Sequence, residues 1–145
     1  MISKFAGPYV FLSNFYPAPI PCADTFAATV EHAFQAYKTG DRAQQAYVLA
    51  APTPSEAKRR GRAVTLRPDW EAVKLQVMRF CLDYKFLAQT ELAEKLLATG
   101  DEWLLEGNTW GDTFWGVDAQ RNYSGDNWLG LLLMARRAEL RGGAA

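Results

Sequence analysis

The stretch "TVEHAFQAYK", Thr29 to Lys38, is where the period of the chain changes. Val30, Ala33, Phe34 and Tyr37 recur at i, i+3, i+4 and i+7, the apolar stripe of an amphipathic helix. Before it, "PYVFLSNFYPAPIPCADTFAAT" (8–29) carries four prolines and apolar residues in short groups. That pattern predicts short strands and turns, with Ala23-Asp24 turning a hairpin between "PIPC" and "TFAA". After it, helical patterns dominate. This one transition makes the chain helix-rich α+β.

"DRAQQAYVLA" (41–50) predicts a second helix that stops before Pro52. "TPSEAKRRG" (53–61) has the form of a helix start, with Thr53 as N-cap, Pro54 at the first turn and Glu56 completing a capping box; Gly61 ends it. "RPDWEAVKLQVMRFCLDYKFLA" (67–88) predicts the longest helix, with Trp70, Val73, Val77, Phe80, Tyr84 and Leu87 as its apolar spacing. "TELAEKLLATG" (90–100) gives a helix capped by Thr90 and closed at Gly100, and "EWLLEG" (102–107) reads as a strand. "WLGLLLMARRAELR" (128–141) is the last helix, after the polar turn "YSGDN". With no repeat, low-complexity segment or linker, residues 1–141 read as one domain, and "GGAA" (142–145) as a frayed tail.

The 145 residues suffice for a core without disulfides or metal. Sixteen basic residues balance sixteen acidic ones, which argues against a binder of long polyanions held by long-range field. Cys22 and Cys81 are far apart and outside any C-x-x-C motif, so they are expected to be reduced and buried. With one histidine they cannot form a typical zinc site, and no metal or cofactor is expected. There is no signal-peptide pattern and no run as long as a membrane span; the expectation is a cytoplasmic protein.

Chemistry-bearing residues gather in three places. Advancing 100° per residue from Val30, Glu31 and Lys38 fall within about 20° of each other, with Gln35 close by. This trio borders the apolar stripe and is expected to be half-buried. Two readings stand: an ordinary solvated i,i+4 pattern, or a carboxylate and an amine facing a substrate. His32 points away and is read as hydrogen-bonded within the fold. "EGNTWGDTFWGV" (106–117) has neither period. It is read either as a crossover whose tryptophans plug the core, or as a loop that stacks a planar base and hydrogen-bonds a sugar. "AKRRGR" (57–62) is either a solvated basic face or a phosphate holder.

Taken in order, "FLSNFYPAPI", "TVEHAFQAYK", "AKRRGRAVTLRPDWEAVK", "EGNTWGDTFWGV" and "NWLGLLLMARR" resemble the YbiA-like, or NADAR, family of small N-glycosidases, from about Tyr9 to about Leu140. The resemblance implies a single α+β domain that hydrolyses the bond between ribose and an amine or base. The implied substrates are ribosylamino-pyrimidine phosphates early in riboflavin biosynthesis, or ADP-ribose on guanine in nucleic acid. It implies Glu31, Lys38 and Asp112 as catalytic residues. Lys38 would contact ribose and react with the opened sugar aldehyde; Glu31 would act as general acid/base or orient that lysine. Asp112 would bind ribose hydroxyls or stabilise positive charge at the anomeric carbon. Asn14, Phe15, Gln35, Asn108, Trp110, Trp115 and Gly116 would line the pocket, and Arg62 would hold phosphate. The alternative is a non-catalytic ADP-ribose or nucleotide-binding module; a helical scaffold for protein partners would leave the half-buried charges unexplained.

Overall fold

The structure is a computed structural model and describes residues 1–143. The chain divides into two compact units: Asn14–Lys85, and Met1–Ser13 together with the chain from Phe86 onward.

In the first unit β1 (Pro17–Cys22) and β2 (Thr25–Thr29) form an antiparallel hairpin, with Cys22 opposite Thr25 and Ile20 opposite Ala27. Strand β1 alternates, burying Ala18, Ile20 and Cys22 while Pro17 and Pro19 face out. A two-stranded sheet has only edges, so the prolines of β1 cost no interior ladder bond. The expected turn at Ala23-Asp24 forms with both residues left-handed (φ 51° and 63°), the mirror-image geometry that matches strand twist.

The chain leaves β2 straight into α1 (Val30–Ala36), because the Thr29 hydroxyl caps the helix by accepting from His32 N at 3.1 Å. Helix α2 (Arg42–Leu49) is capped by Asp41 and α3 (Pro54–Gly61) by Thr53, which accepts from Glu56 N at 3.1 Å. Only half of the expected capping box forms. The Glu56 carboxylate turns to Arg59 and Arg60, and the Arg59 hydrogen bond holds its pKa down to about 2.

Helix α4 (Trp70–Lys85) corrects the expected apolar face. Phe80 and Tyr84 are exposed, as is Leu87 just beyond the helix, whereas Trp70, Met78, Cys81, Leu82 and Lys85 are buried. The helix is apolar on more than one side, so spacing alone did not select the side. Phe80 instead joins an aromatic cluster, edge-on to Tyr37 at a centroid distance of 6.0 Å and tilted against Tyr84 at 5.0 Å. Trp70 meets Phe34 of α1 edge-on at 5.0 Å, which ties the start of α4 to the helix of the first motif.

In the second unit a short 3-10 helix (Gly7–Leu12) stands where only turns and strands were expected. Helices α5 (Glu91–Leu97) and α6 (Trp128–Arg141) follow the expected patterns, with Thr90 capping α5. The expected strand "EWLLEG" reduces to one parallel bridge between Ile2 and Leu104; Ile2 N donates to Trp103 O and Leu105 N to Ile2 O. Two-residue parallel strands β3 (Gly107–Asn108) and β4 (Val117–Asp118) bracket the aromatic loop. Buried Asn127 ties this loop to α6, accepting from Glu106 N at 3.0 Å and donating to Leu104 O at 2.9 Å. Of the expected tail, Gly142 caps α6, while Ala144 and Ala145 lie outside the described residues. Among the described residues no helix is long and apolar enough to cross a membrane.

Candidate active site

Helix α1 presents its chemistry on the flank that faces α3. Glu31 and Gln35, one turn apart, are 8% and 5% exposed, more buried than the half-burial that spacing suggested. The reason is α3, which covers this flank and brings Gly61 against the Gln35 side chain. A Cβ at position 61 would lie 2.7 Å from Gln35 Cδ and 2.9 Å from Cβ, and closer still to Oε1. A Cβ there would force the Gln35 side chain to move.

Gln35 Nε2 donates to Glu31 Oε2 at 3.3 Å. Burial pushes the Glu31 carboxyl above its usual range. The Gln35 hydrogen bond and the charges of Lys58 and Lys38 oppose that shift without cancelling it. A carboxyl whose pKa is raised keeps its proton to higher pH and is the better placed to donate it. Lys38 sits one residue past the C-cap Tyr37, in a tight turn where its N donates to Gln35 O, so it is not on the regular helix that the wheel assumed. It stays half-buried, with Nζ 6.0 Å from the Phe34 ring centroid. Desolvation lowers its pKa, Glu31 works against this, and Arg62 and Lys58 add to it. A neutral amine is therefore more accessible at Lys38 than on an open surface.

Two buried carbonyl oxygens, Gln35 Oε1 and Asn14 Oδ1, have no hydrogen-bond partner among the described residues. Asn14 adjoins the acid directly: its backbone O accepts from Glu31 N at 3.1 Å, and its Nδ2 rests on Met78 Sδ at 3.7 Å. Unsatisfied buried acceptors are costly, and a donor-bearing ligand would satisfy them. Phe15, next in sequence, is exposed.

Helix α3 divides its basic residues between two jobs. Arg59 and Arg60 bind Glu56, and Arg60 also donates to Tyr47 O and stacks on the Tyr47 ring. Lys58 and Arg62, i and i+4, form no ion pair among the described residues; Lys58 is felt electrostatically by both Glu31 and Lys38, and Arg62 by Lys38. Lys38 and Lys58 therefore act on the buried acid and Arg62 on Lys38, which leaves the neighbourhood short of negative charge. The sequence offers Lys58 only within the basic run "AKRRGR", as one of several phosphate-holder candidates, and gives no functional reason for Gly61. The i,i+4 spacing of Lys58 and Arg62 was the available signal for the first; the second needed the packing of α3 on α1.

His32 is fixed within the fold. Its Nε2 lies 2.9 Å from Ala51 O, a group that only accepts, so Nε2 carries the proton. Nδ1, 2.8 Å from Thr29 Oγ1, is then the acceptor of the hydroxyl proton. The two thiols are unpaired and buried; burial raises Cys22 to about 11 and Cys81 further, which suits core residues and not nucleophiles.

The loop of the second unit is built around Asp112 and Asn108. Asp112 Oδ1 accepts from Phe114 N and Trp115 N, at 3.1 and 2.9 Å. The buried Asn108 amide clasps the Asp112 backbone, donating to its O at 2.8 Å and accepting from its N at 3.0 Å. Asp112 Oδ2 makes no hydrogen bond among the described residues. Gly116 is a close approach: a Cβ there would strike Glu106 O and lie 2.8 Å from Asn108 Nδ2. Trp115 is half-buried and stacks edge-on with Phe114, whereas Trp110 is 66% exposed.

These features belong to a known class of domain. A model of the NADAR domain matches residues 3–141, and the chain belongs to the NADAR domain family. Over 139 residues it is 47% identical to a Nostoc punctiforme protein named as an N-glycosidase, covering 92% of this chain and 87% of that protein. The Escherichia coli protein named N-glycosidase YbiA is 40% identical over 134 residues, 91% of this chain and 82% of its own length. The NMR structure of E. coli YbiA matches with a TM-score of 0.82, covering 99% of this chain and 88% of that one. A Vibrio vulnificus protein named as a riboflavin biosynthesis protein is 41% identical over 133 residues, covering 90% of this chain but only 35% of that longer protein.

Proposed function

We propose that this protein is an N-glycosidase that cleaves the bond between a ribose and a nitrogen of a pyrimidine-type amine, acting on ribosylamino-pyrimidine phosphates of riboflavin biosynthesis. One observation carries the reading: a buried Glu31, its pKa raised by desolvation, beside a half-buried Lys38, in a neighbourhood with surplus cations at Lys58 and Arg62. The names of the N-glycosidase relatives and of the riboflavin biosynthesis relative support the reaction and the substrate class.

Glu31 donates its proton to the leaving nitrogen as the C–N bond breaks and the bonding pair moves to nitrogen. The sugar carbon, now oxocarbenium-like, takes the oxygen of a water, whose proton returns to Glu31. Lys38 contacts the ribose, and its amine can condense with the aldehyde of an opened sugar, releasing water and forming an imine. Lys58 and Arg62 hold the phosphate. The unsatisfied oxygens of Asn14 and Gln35 suit an amine-bearing edge, and Phe15 offers an apolar wall. For the loop by itself we propose a stacking surface at Trp110 and a hydroxyl acceptor at Asp112 Oδ2, with Trp115, Asn108 and Gly116 as its support.

The test is a substrate panel read by mass spectrometry. Ribosylamino-pyrimidine phosphate, guanine-linked ADP-ribose and NAD are incubated with the protein, and release of the amine or base is followed. The expected result is cleavage of the first. Cleavage of guanine-linked ADP-ribose alone moves the substrate to that class; binding without cleavage of any makes the protein a nucleotide-binding module.

A further inference from the structure

Gln35 has two features that a simple lining residue does not need. Its Oε1 is buried with no hydrogen-bond partner, although its Nε2 is used by Glu31. Its amide also sits on the one α3 residue with no side chain, Gly61. A glutamine amide has nearly the same shape after a half-turn about Cγ–Cδ, which exchanges the oxygen and the nitrogen. Where Gly61 leaves clearance, either atom can point at it. Glu31, for its part, changes hydrogen-bonding character when it titrates: ionised it only accepts, protonated it must also donate.

We propose that Gln35 is a positioning residue that serves both protonation states of Glu31, donating through Nε2 to the carboxylate and, after the amide turns, accepting through Oε1 from the carboxylic acid. Gly61 is the clearance that permits the turn. The device rests on the reading of Glu31 as the proton donor, since such a group must be held in one place before and after it gives up its proton. The groups that face Glu31 from α1 and the turn after it are His32 and Lys38. From α3 it is Lys58, and from α4 Cys81. Among these four only the cations bias its charge at neutral pH, and none of the four accepts its proton in the structure's hydrogen bonds. Gln35 is the neutral partner able to follow the change.

The experiment is an NMR titration of the wild-type protein between pH 4 and 9, observing the Glu31 side-chain carboxyl carbon and the Gln35 side-chain amide together. The expected result is that the Gln35 amide signals move with the same midpoint as Glu31. Gln35 signals that stay flat while Glu31 titrates overturn the proposal, as does a Glu31 that does not titrate in this range. A double-mutant cycle adds a kinetic arm. Gly61→Ala should lower kcat at least tenfold and Gln35→Ala by a similar factor, and the double variant should be no worse than either, because the Cβ and the truncation disable one amide. Multiplying losses overturn the shared mechanism. Full turnover by Glu31→Gln would sink the catalytic reading while leaving the NMR coupling to be judged separately.

Discussion

Replacing Glu31 by glutamine separates catalysis from stability. The change keeps the volume and an oxygen that accepts from Gln35 Nε2, but removes the proton that the leaving nitrogen needs. General acid catalysis contributes about 10²–10⁴ in rate, so Glu31→Gln should raise the barrier by about 3–5 kcal/mol. The stability effect runs the other way. Glu31 has a folded pKa above its unfolded value, so the folded state binds the extra proton. Its contribution is fully present below the unfolded value near 4.5 and is lost as pH rises through the raised one. Between those two values the wild type loses about 1.4 kcal/mol per pH unit through this group, and E31Q does not. At neutral pH the variant should therefore be at least as stable as the wild type while nearly inactive. Denaturant unfolding from pH 4 to 8, beside amine-release kinetics over the same range, measures both. The wild-type rate should fall on the alkaline side as Glu31 ionises. An E31Q protein that is less stable at pH 7 would show that the cations win over desolvation and that Glu31 is a buried anion, refuting the argument.

Three further outcomes follow from the same geometry. Borohydride added during turnover should fix a sugar adduct on the wild type and not on Lys38→Arg, read as intact mass; an unmodified wild type removes the imine route. Lys58→Ala and Arg62→Ala should each raise KM about tenfold for a phosphorylated substrate, roughly 1.4 kcal/mol for one lost charge-assisted contact, and leave a dephosphorylated substrate unaffected; equal effects on both would remove the phosphate role. Thr29→Ala removes the α1 cap and the partner of buried His32 Nδ1 together, so thermal or urea unfolding should show a loss of about 2–4 kcal/mol.

Much of this architecture is legible in the sequence, because local chemistry sets it. Thr29, Thr53 and Thr90 each precede a helix that they cap, and the run Trp128–Arg141 is a helix at both of its expected ends. The mirror-image turn at Ala23-Asp24 follows from two strand-like runs two residues apart. What local chemistry does not set is not legible in this way. The buried side of α4 depends on which neighbours cover it, and with apolar residues on several sides the period could not choose between Phe80 and Cys81. The strand expected at "EWLLEG" needs a partner along its length, and among the described residues it finds Ile2 at Leu104 and Val117 at Gly107. At the candidate site, Glu31, Gln35 and Lys38 stand out by spacing, but the depth of the first two comes from α3, and Gly61 reads in sequence merely as a helix stop. Resemblance to the family singled out Asp112, whereas the hydrogen bonds that shape its loop come from Asn108, a residue that composition gives no reason to rank first.

The bridge between Ile2 and Leu104 has a consequence for synthesis. The unit that contains it is interrupted in sequence by the whole of Asn14–Lys85. On a ribosome making about 5–20 residues per second, the first strand segment therefore waits on the order of five to twenty seconds for its partner to appear. During that interval Ile2, Phe5, Phe11 and Leu12, all buried in the finished protein, have no completed core to enter. Meanwhile every residue of the Glu31 helix and of the α3 clearance that supports it has already left the peptidyl transferase centre. Its acid is thus laid down well before Leu104, and the Ile2 stretch, made before both, is among the last to find its place.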